Sequence, residues 1–118
     1  MSVSATRATT ITYSGDVAGT ETISAATNAA SPGSVTVQTL SSGANTITVP
    51  STTGVTVTAV TIVPPTGNTT SITLKGISGD TGIRIHNTDP TTVAIDSSVT
   101  SFVLTAGASI SAVRFFWS

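Results

Sequence analysis

Along most of this chain β-branched apolar residues alternate with Thr or Ser, as in "TVQTL", "NTITV" and "SITLK". Gly, Pro, Asn or Asp interrupts the alternation every eight to twelve residues or so, the signature of half-buried antiparallel strands. Strands are predicted near 8–14, 19–25, 34–40, 44–49, 55–63, 69–75, 81–86, 91–96, 101–105 and 109–117. Ten short strands without a long helix predict an all-β fold, a single antiparallel β-sandwich of the jelly-roll kind. The stretches "SSGAN" (41–45), "PSTTG" (50–54), "PPTGN" (64–68), "NTDP" (87–90) and "TAGAS" (105–109) supply the residues that turns need. Pro64 and Pro65 forbid central-strand hydrogen bonding where they stand.

Two segments depart from the pattern. In "VTVTAVTIV", Val55 and Val57 share one parity while Val60 and Ile62 share the other, which predicts a bulge near Thr58–Ala59 or burial of both faces. "SAATNAASPG", Ser24 to Gly33, is Ala-rich and is read as a connection ended by Pro32 and Gly33. No fixed-period repeat is present, so the threonines do not form the ladder of a solenoid. Taking the apolar parity of each strand inward, the expected core is Ile11, Ile23, Val35, Val37, Ile47, Val49, Val55, Val57, Ile62, Ile72, Leu74, Ile83, Ile85, Val93, Ile95, Val103, Val113, Phe115 and Trp117.

Composition sharpens this picture. The chain has 118 residues, enough for one shared core, and only 8% are charged, against roughly a quarter in an average soluble domain. Thr and Ser make up about a third, so the surface is coated with hydroxyls rather than ions. Four basic residues and a net charge of -1 lack the electrostatic footprint of a phosphate-backbone binder, so no nucleic-acid partner is expected. The absence of Cys removes disulfides and thiolate zinc sites. The start "MSVSATRATT" has no basic segment followed by an apolar run, and no apolar stretch approaches a span, so neither a secretory signal nor a membrane contact is expected.

Charge concentrates in "LKGISGDTGIRIHNTDPT", Leu74 to Thr91. Arg84 and His86 share one parity of the predicted strand, and Lys75 lies opposite to Ile72 and Leu74, so all three are expected to leave the core. Asp80 is placed to close the "SGDTG" turn on its own backbone, and His86 with Asp89 to make a local turn contact. Lys75, Asp80, Arg84, His86 and Asp89 are therefore expected to form a polar rim that sets register with a neighbouring subunit. The triplet Asp80–Gly82 resembles the catalytic "DTG" of dimeric, retroviral-type aspartic proteases, in which two carboxylates share a proton. The resemblance covers three residues, and Ser78 and Gly79 separate the triplet from the preceding apolar strand, unlike that family's pattern. Asp80, Asp89 and Asp96 would bind Ca²⁺ only if folding gathered them, since none lies in a calcium-loop motif. No catalytic residue, metal or cofactor is expected. A carbohydrate-binding module is the rival among β-sandwiches, with a glycan as its ligand. Sugar shelves use exposed aromatic rings, whereas three of the five aromatics here are consecutive, Phe115 to Trp117.

The stretches "VQTLSSGANTITVP", "GVTVTAVTIVPPTGN", "ITLKGISGDTGIRIHNTDPTTVAID" and "SFVLTAGASISAVRFFWS" together resemble the small β-sandwich structural proteins of tailed bacteriophage particles. The likeness covers Val37 to Ser118 and lies in texture: Thr-alternating strands, a Pro-Pro-x-Gly-Asn turn, a Lys-Gly-x-x-Gly-Asp-x-Gly hairpin and an aromatic end. It implies a jelly roll without an active site, serving as a capsid decoration or cement protein, or as a tail fibre, neck or baseplate component. It further implies a virion location after synthesis in the host cytoplasm, a homotrimer, and contacts with other virion proteins such as the major capsid protein. Residues 1–33 lie outside it, an N-terminal arm with the first strands and a candidate assembly segment ahead of a 34–118 sandwich. The last strand carries the expected contact. With Val113, Phe115 and Trp117 inward, Ile110, Ala112, Arg114 and Phe116 face out, too apolar a set to leave in water. A neighbouring copy would cover them, unless the chain's own N-terminal segment or a central place in the sandwich does so.

Overall fold

The computed structural model describes residues 4–13 and 19–118, with the side chains of 9–13 and 19–24 left aside. Ten strands follow in chain order: β1 Ala5–Tyr13, β2 Gly19–Asn28, β3 Val35–Leu40, β4 Gly43–Thr48, β5 Ala59–Val63, β6 Ile72–Lys75, β7 Ile83–Ile85, β8 Thr91–Ala94, β9 Ser101–Ala106 and β10 Ile110–Trp117. β1 and β2 form a hairpin sheet of their own, bulged between Arg7 and Thr9. The other eight make two antiparallel four-stranded sheets, ordered β3-β10-β5-β8 and β4-β9-β6-β7. From β3 onward every connection crosses between the sheets except the β6–β7 hairpin. That interleaving is the jelly-roll order, in which two Greek keys close a sandwich.

The core lies between the two inner faces. Leu40, Ile62, Val113 and Phe115 from one sheet meet Ile47, Ile72, Ile85 and Leu104 from the other, all buried. Trp117 ties the layers: its ring stacks on Phe115 at 6.0 Å between centroids and lies 6.2 Å from Phe102 of the opposite sheet. Its indole N–H donates to Thr36 Oγ1 at 2.9 Å, so burying the ring leaves no polar atom unpaired.

The expected phase slip is the point where β5 begins. Residues 55–58 stay outside the strand, and the Ser118 carbonyl accepts the N–H groups of both Thr58 (2.7 Å) and Ala59 (3.0 Å). Val57, Ala59 and Val60 are all buried, so both parities are covered there. β2 runs on through Asn28, so the first half of the Ala-rich segment is strand and the turn is confined to Ala29–Ala30. Alternating Ala and Thr satisfies a strand as readily as a connection when a partner is in register, here Ala5 to Arg7.

Several expected inward residues turn out otherwise. Val35 and Val37 are 53% and 62% exposed, because Leu40 and the Thr36 hydroxyl under Trp117 claim the inner face of β3. Ile83 is 73% exposed although it shares the inner parity with Ile85. Val103 is buried but stands apart from the core cluster, on the outer face of β9, whose inner face carries Phe102, Leu104 and Ala106. Leu74, Val93 and Ile95 pack against the core from partly buried positions. Ile11 and Ile23 fall outside the described side chains.

Candidate functional site

Two surfaces carry the residues singled out by sequence. The first is the outer face of the β3-β10-β5-β8 sheet. Arg114 pairs across to Val37 and Val63, and Phe116 to Val35 and Thr61, so these six side chains form one continuous patch. Phe116 is 37% exposed, and the Arg114 guanidinium lies 5.7 Å from its ring centroid in a cation–π contact. Ala112 is exposed on the same strand, but Ile110 is buried among the core residues. The reason is a bulge: Ala112 takes φ 59° and the register with β3 shifts between Ile110 and Val113. The extra residue reverses parity, so Ile110 joins Val113 inside instead of Arg114 outside. Ala5, Thr6 and Arg7 of β1 wall a cavity of about 290 Å³ with Val35, Thr61 and Phe116, so the N-terminal hairpin starts beside this patch. Val35 and Val37 complete the apolar surface, and alternation alone assigns them to the core.

The second surface is the β6–β7 hairpin with the space beside it. Asp80 closes the turn as expected: its Oδ2 accepts the Ile77 N–H at 3.0 Å, and its own N–H donates to the Ile77 carbonyl at 3.1 Å. The carboxylate is thus engaged by its own backbone and exposed to water. Gly82 is required by geometry, since it holds φ +75° and a Cβ there would stand 2.5 Å from the Leu74 carbonyl oxygen. Among the described residues Lys75 Nζ reaches only the Ser78 carbonyl, at 3.5 Å. Between the sheets at the β7/β8 edge lies a cleft of about 540 Å³, lined mainly by Val60, Ile62, Leu74, Val93, Ile95 and Phe102, with Lys75 and Asp80 also in its lining.

The expected polar rim divides into two groups. Lys75 and Asp80 flank the turn that precedes β7, whereas His86 and Asp89 follow that strand. Arg84 lies exposed between them on the outer face, across from Thr73. His86 Nδ1 accepts the N–H of Asp89 at 2.9 Å and that of Thr88 at 3.2 Å, which organises the turn locally. Asp89 Oδ1 is 3.7 Å from the same nitrogen. A protonated Nδ1 could not also accept those amides, so the turn and a His86–Asp89 ion pair are alternatives. Asp96 serves a third turn, its carboxyl held below the ordinary carboxylate range by hydrogen bonds from the Ser98 hydroxyl and backbone N–H. Asp80, Asp89 and Asp96 are not gathered, and among the described residues no three of His, Cys, Asp and Glu converge on one point.

Comparison of the chain with protein-family models, with curated proteins and with solved structures finds no match.

Proposed function

We propose that this chain is a non-enzymatic structural protein of a tailed-phage particle, most simply a capsid decoration or cement protein, which acts by binding copies of itself and neighbouring virion proteins such as the major capsid protein. The observation that carries the reading is the exposed apolar patch of Val35, Val37 and Phe116 on a jelly-roll sheet. With 8% charged residues the rest of the surface offers little repulsion to keep copies apart, and low charge with exposed apolar area promotes association. Phe116 with Arg114 over its ring is the kind of aromatic and Arg anchor that dominates interfaces. A jelly roll suits this role because closing two sheets on each other leaves whole outer faces free for packing.

Mass spectrometry of purified particles from the source is the direct test, and absence of the chain from every particle would end this reading. At the molecular level, light scattering after size-exclusion chromatography should show wild type as an oligomer, a homotrimer on the strength of the resemblance. Phe116→Ser should shift it toward monomer, since truncating a central aromatic anchor costs on the order of 2 kcal/mol or more. A monomeric wild type in which Phe116→Ser only lowers folding stability would show that the patch is not an interface. Glycan-array binding by the isolated protein would favour the carbohydrate-binding alternative instead. Acid-side peptidase activity lost on Asp80→Asn would favour the protease alternative.

A further inference from the structure

The β6–β7 turn and the adjoining cleft form one patch with two complementary pairs of features. Ile77 stands on the turn 66% exposed, fixed by the two hydrogen bonds between it and Asp80, so it is a rigid apolar knob. Next to it the cleft of about 540 Å³ is a hole walled mainly by aliphatic side chains. The same lining holds one cation, Lys75, and one anion, Asp80. Among the described residues neither makes an ion pair, the one contact of that range being His86 with Asp89.

A two-fold contact uses the same patch on both copies, so residue i meets j while j meets i. Such a patch must contain its own complement. Knob beside hole and ammonium beside carboxylate meet that condition, whereas the six-residue patch around Phe116 holds one cation, Arg114, and no anion to answer it. We infer that the β6–β7 turn and its cleft are a two-fold self-association surface: Ile77 of each copy enters the cleft of the other, and Lys75 of each faces Asp80 of the other. The exposure of Ile83, 73% at the lining of the cleft, is then covered by the incoming turn. This surface is separate from the Phe116 patch. It deepens the self-association reading by adding a second contact of defined symmetry.

The test compares wild type, Lys75→Asp, Asp80→Lys and an equimolar mixture of the two variants by sedimentation velocity over a dilution series. The set is run with Phe116 intact and again with Phe116→Ser, so the two surfaces are read independently. Each single variant places like charges across the two-fold and should weaken association at least about tenfold. The mixture should recover it, because one copy then carries two carboxylates and the other two ammonium groups. Asp80→Lys also removes the clasp of its own turn, but a folding fault would not be repaired by adding the Lys75→Asp copy. Ile77→Ala should weaken association without altering the charge response. The inference is overturned if the mixture associates no more tightly than either variant alone, even when Phe116→Ser shows the sheet patch to be an interface. A wild type that stays monomeric while binding the apolar dye 1-anilinonaphthalene-8-sulfonate would also overturn it, and would assign the cleft to a small apolar ligand.

Discussion

On the outer face of the β4-β9-β6-β7 sheet, Val103 is only 7% exposed, whereas on the opposite sheet Val35 and Val37 stand more than half open to solvent. Position in the sheet explains the contrast. β9 is central, so Val103 has Thr46 directly across on one side and Lys75 on the other. β3 is an edge strand, so Val35 and Val37 have neighbours on one side only, Phe116 and Arg114. A valine on an outer face is thus self-contained in one sheet and in want of a partner in the other. This is why the proposed Phe116 contact is placed on the β3 side of the sandwich.

The contrast is broken most sharply by placing the same charge on both faces. Val103→Asp should cost at least about 3 kcal/mol, since it removes buried apolar area and desolvates a carboxylate that Lys75, across the strand pair, offsets only in part. Val37→Asp should change stability by no more than about 0.5 kcal/mol, as exposed substitutions do, while reducing self-association. Urea denaturation of both variants with light scattering on the second measures this, and equal losses of stability would mean that the two faces do not differ. A smaller effect is expected at the edge of the β4-β9-β6-β7 sheet, where Gly82→Ala forces a side chain into the left-handed region and against the Leu74 carbonyl. Strain of that kind costs about 1–3 kcal/mol and should lower the thermal midpoint and speed amide exchange across β7 before the rest of the sheet. On the other sheet the Thr61–Thr92 hydroxyl contact, 2.8 Å long, is exposed and links neighbouring strands. A double-mutant cycle to Val at both positions should give a coupling of about 0.5 kcal/mol.

The smallest effect is pH-dependent and sits just after β8. The Asp96 carboxyl is depressed by its Ser98 hydrogen bonds, so its contribution to stability is present above the ordinary carboxyl value of 3.8 and is lost as pH falls through the lower folded value. A carbon-detected NMR titration should place the Asp96 inflection below 3.8, and Ser98→Ala should move it up toward that value. Unchanged titration in Ser98→Ala would show that the Ser98 hydroxyl is not the cause.

How much of this is legible in the sequence differs strand by strand. All ten strands follow from alternation and turn residues, because a period of two with frequent Gly, Pro and Asn is compatible with little else. The closure of the Asp80 turn and the local role of His86 were readable too, since both depend on residues within three positions. Which parity faces the core was not. In β3 the odd positions hold both valines, yet the even ones turn inward, since Leu40 and the Thr36 hydroxyl that pairs the Trp117 indole are long-range choices. β9 reads "SFVLTA", apolar on both parities, so alternation cannot rank Phe102 and Leu104 above Val103.

By itself, then, the chain determined an all-β fold of ten short strands, a surface of hydroxyls rather than charges, and turns closed by their own Asp and His side chains. Those features are set by steric and hydrogen-bonding preferences acting over a few residues. Only the tertiary structure decided which face of β3 is left to solvent, that a bulge at Ala112 sends Ile110 inward, and that Lys75 and Asp80 line a cleft. A strand's pattern relates its residues only to one another. The inward side is chosen by which of several near-equal faces packs best against strands far away in sequence, and one inserted residue reverses that choice for everything beyond it.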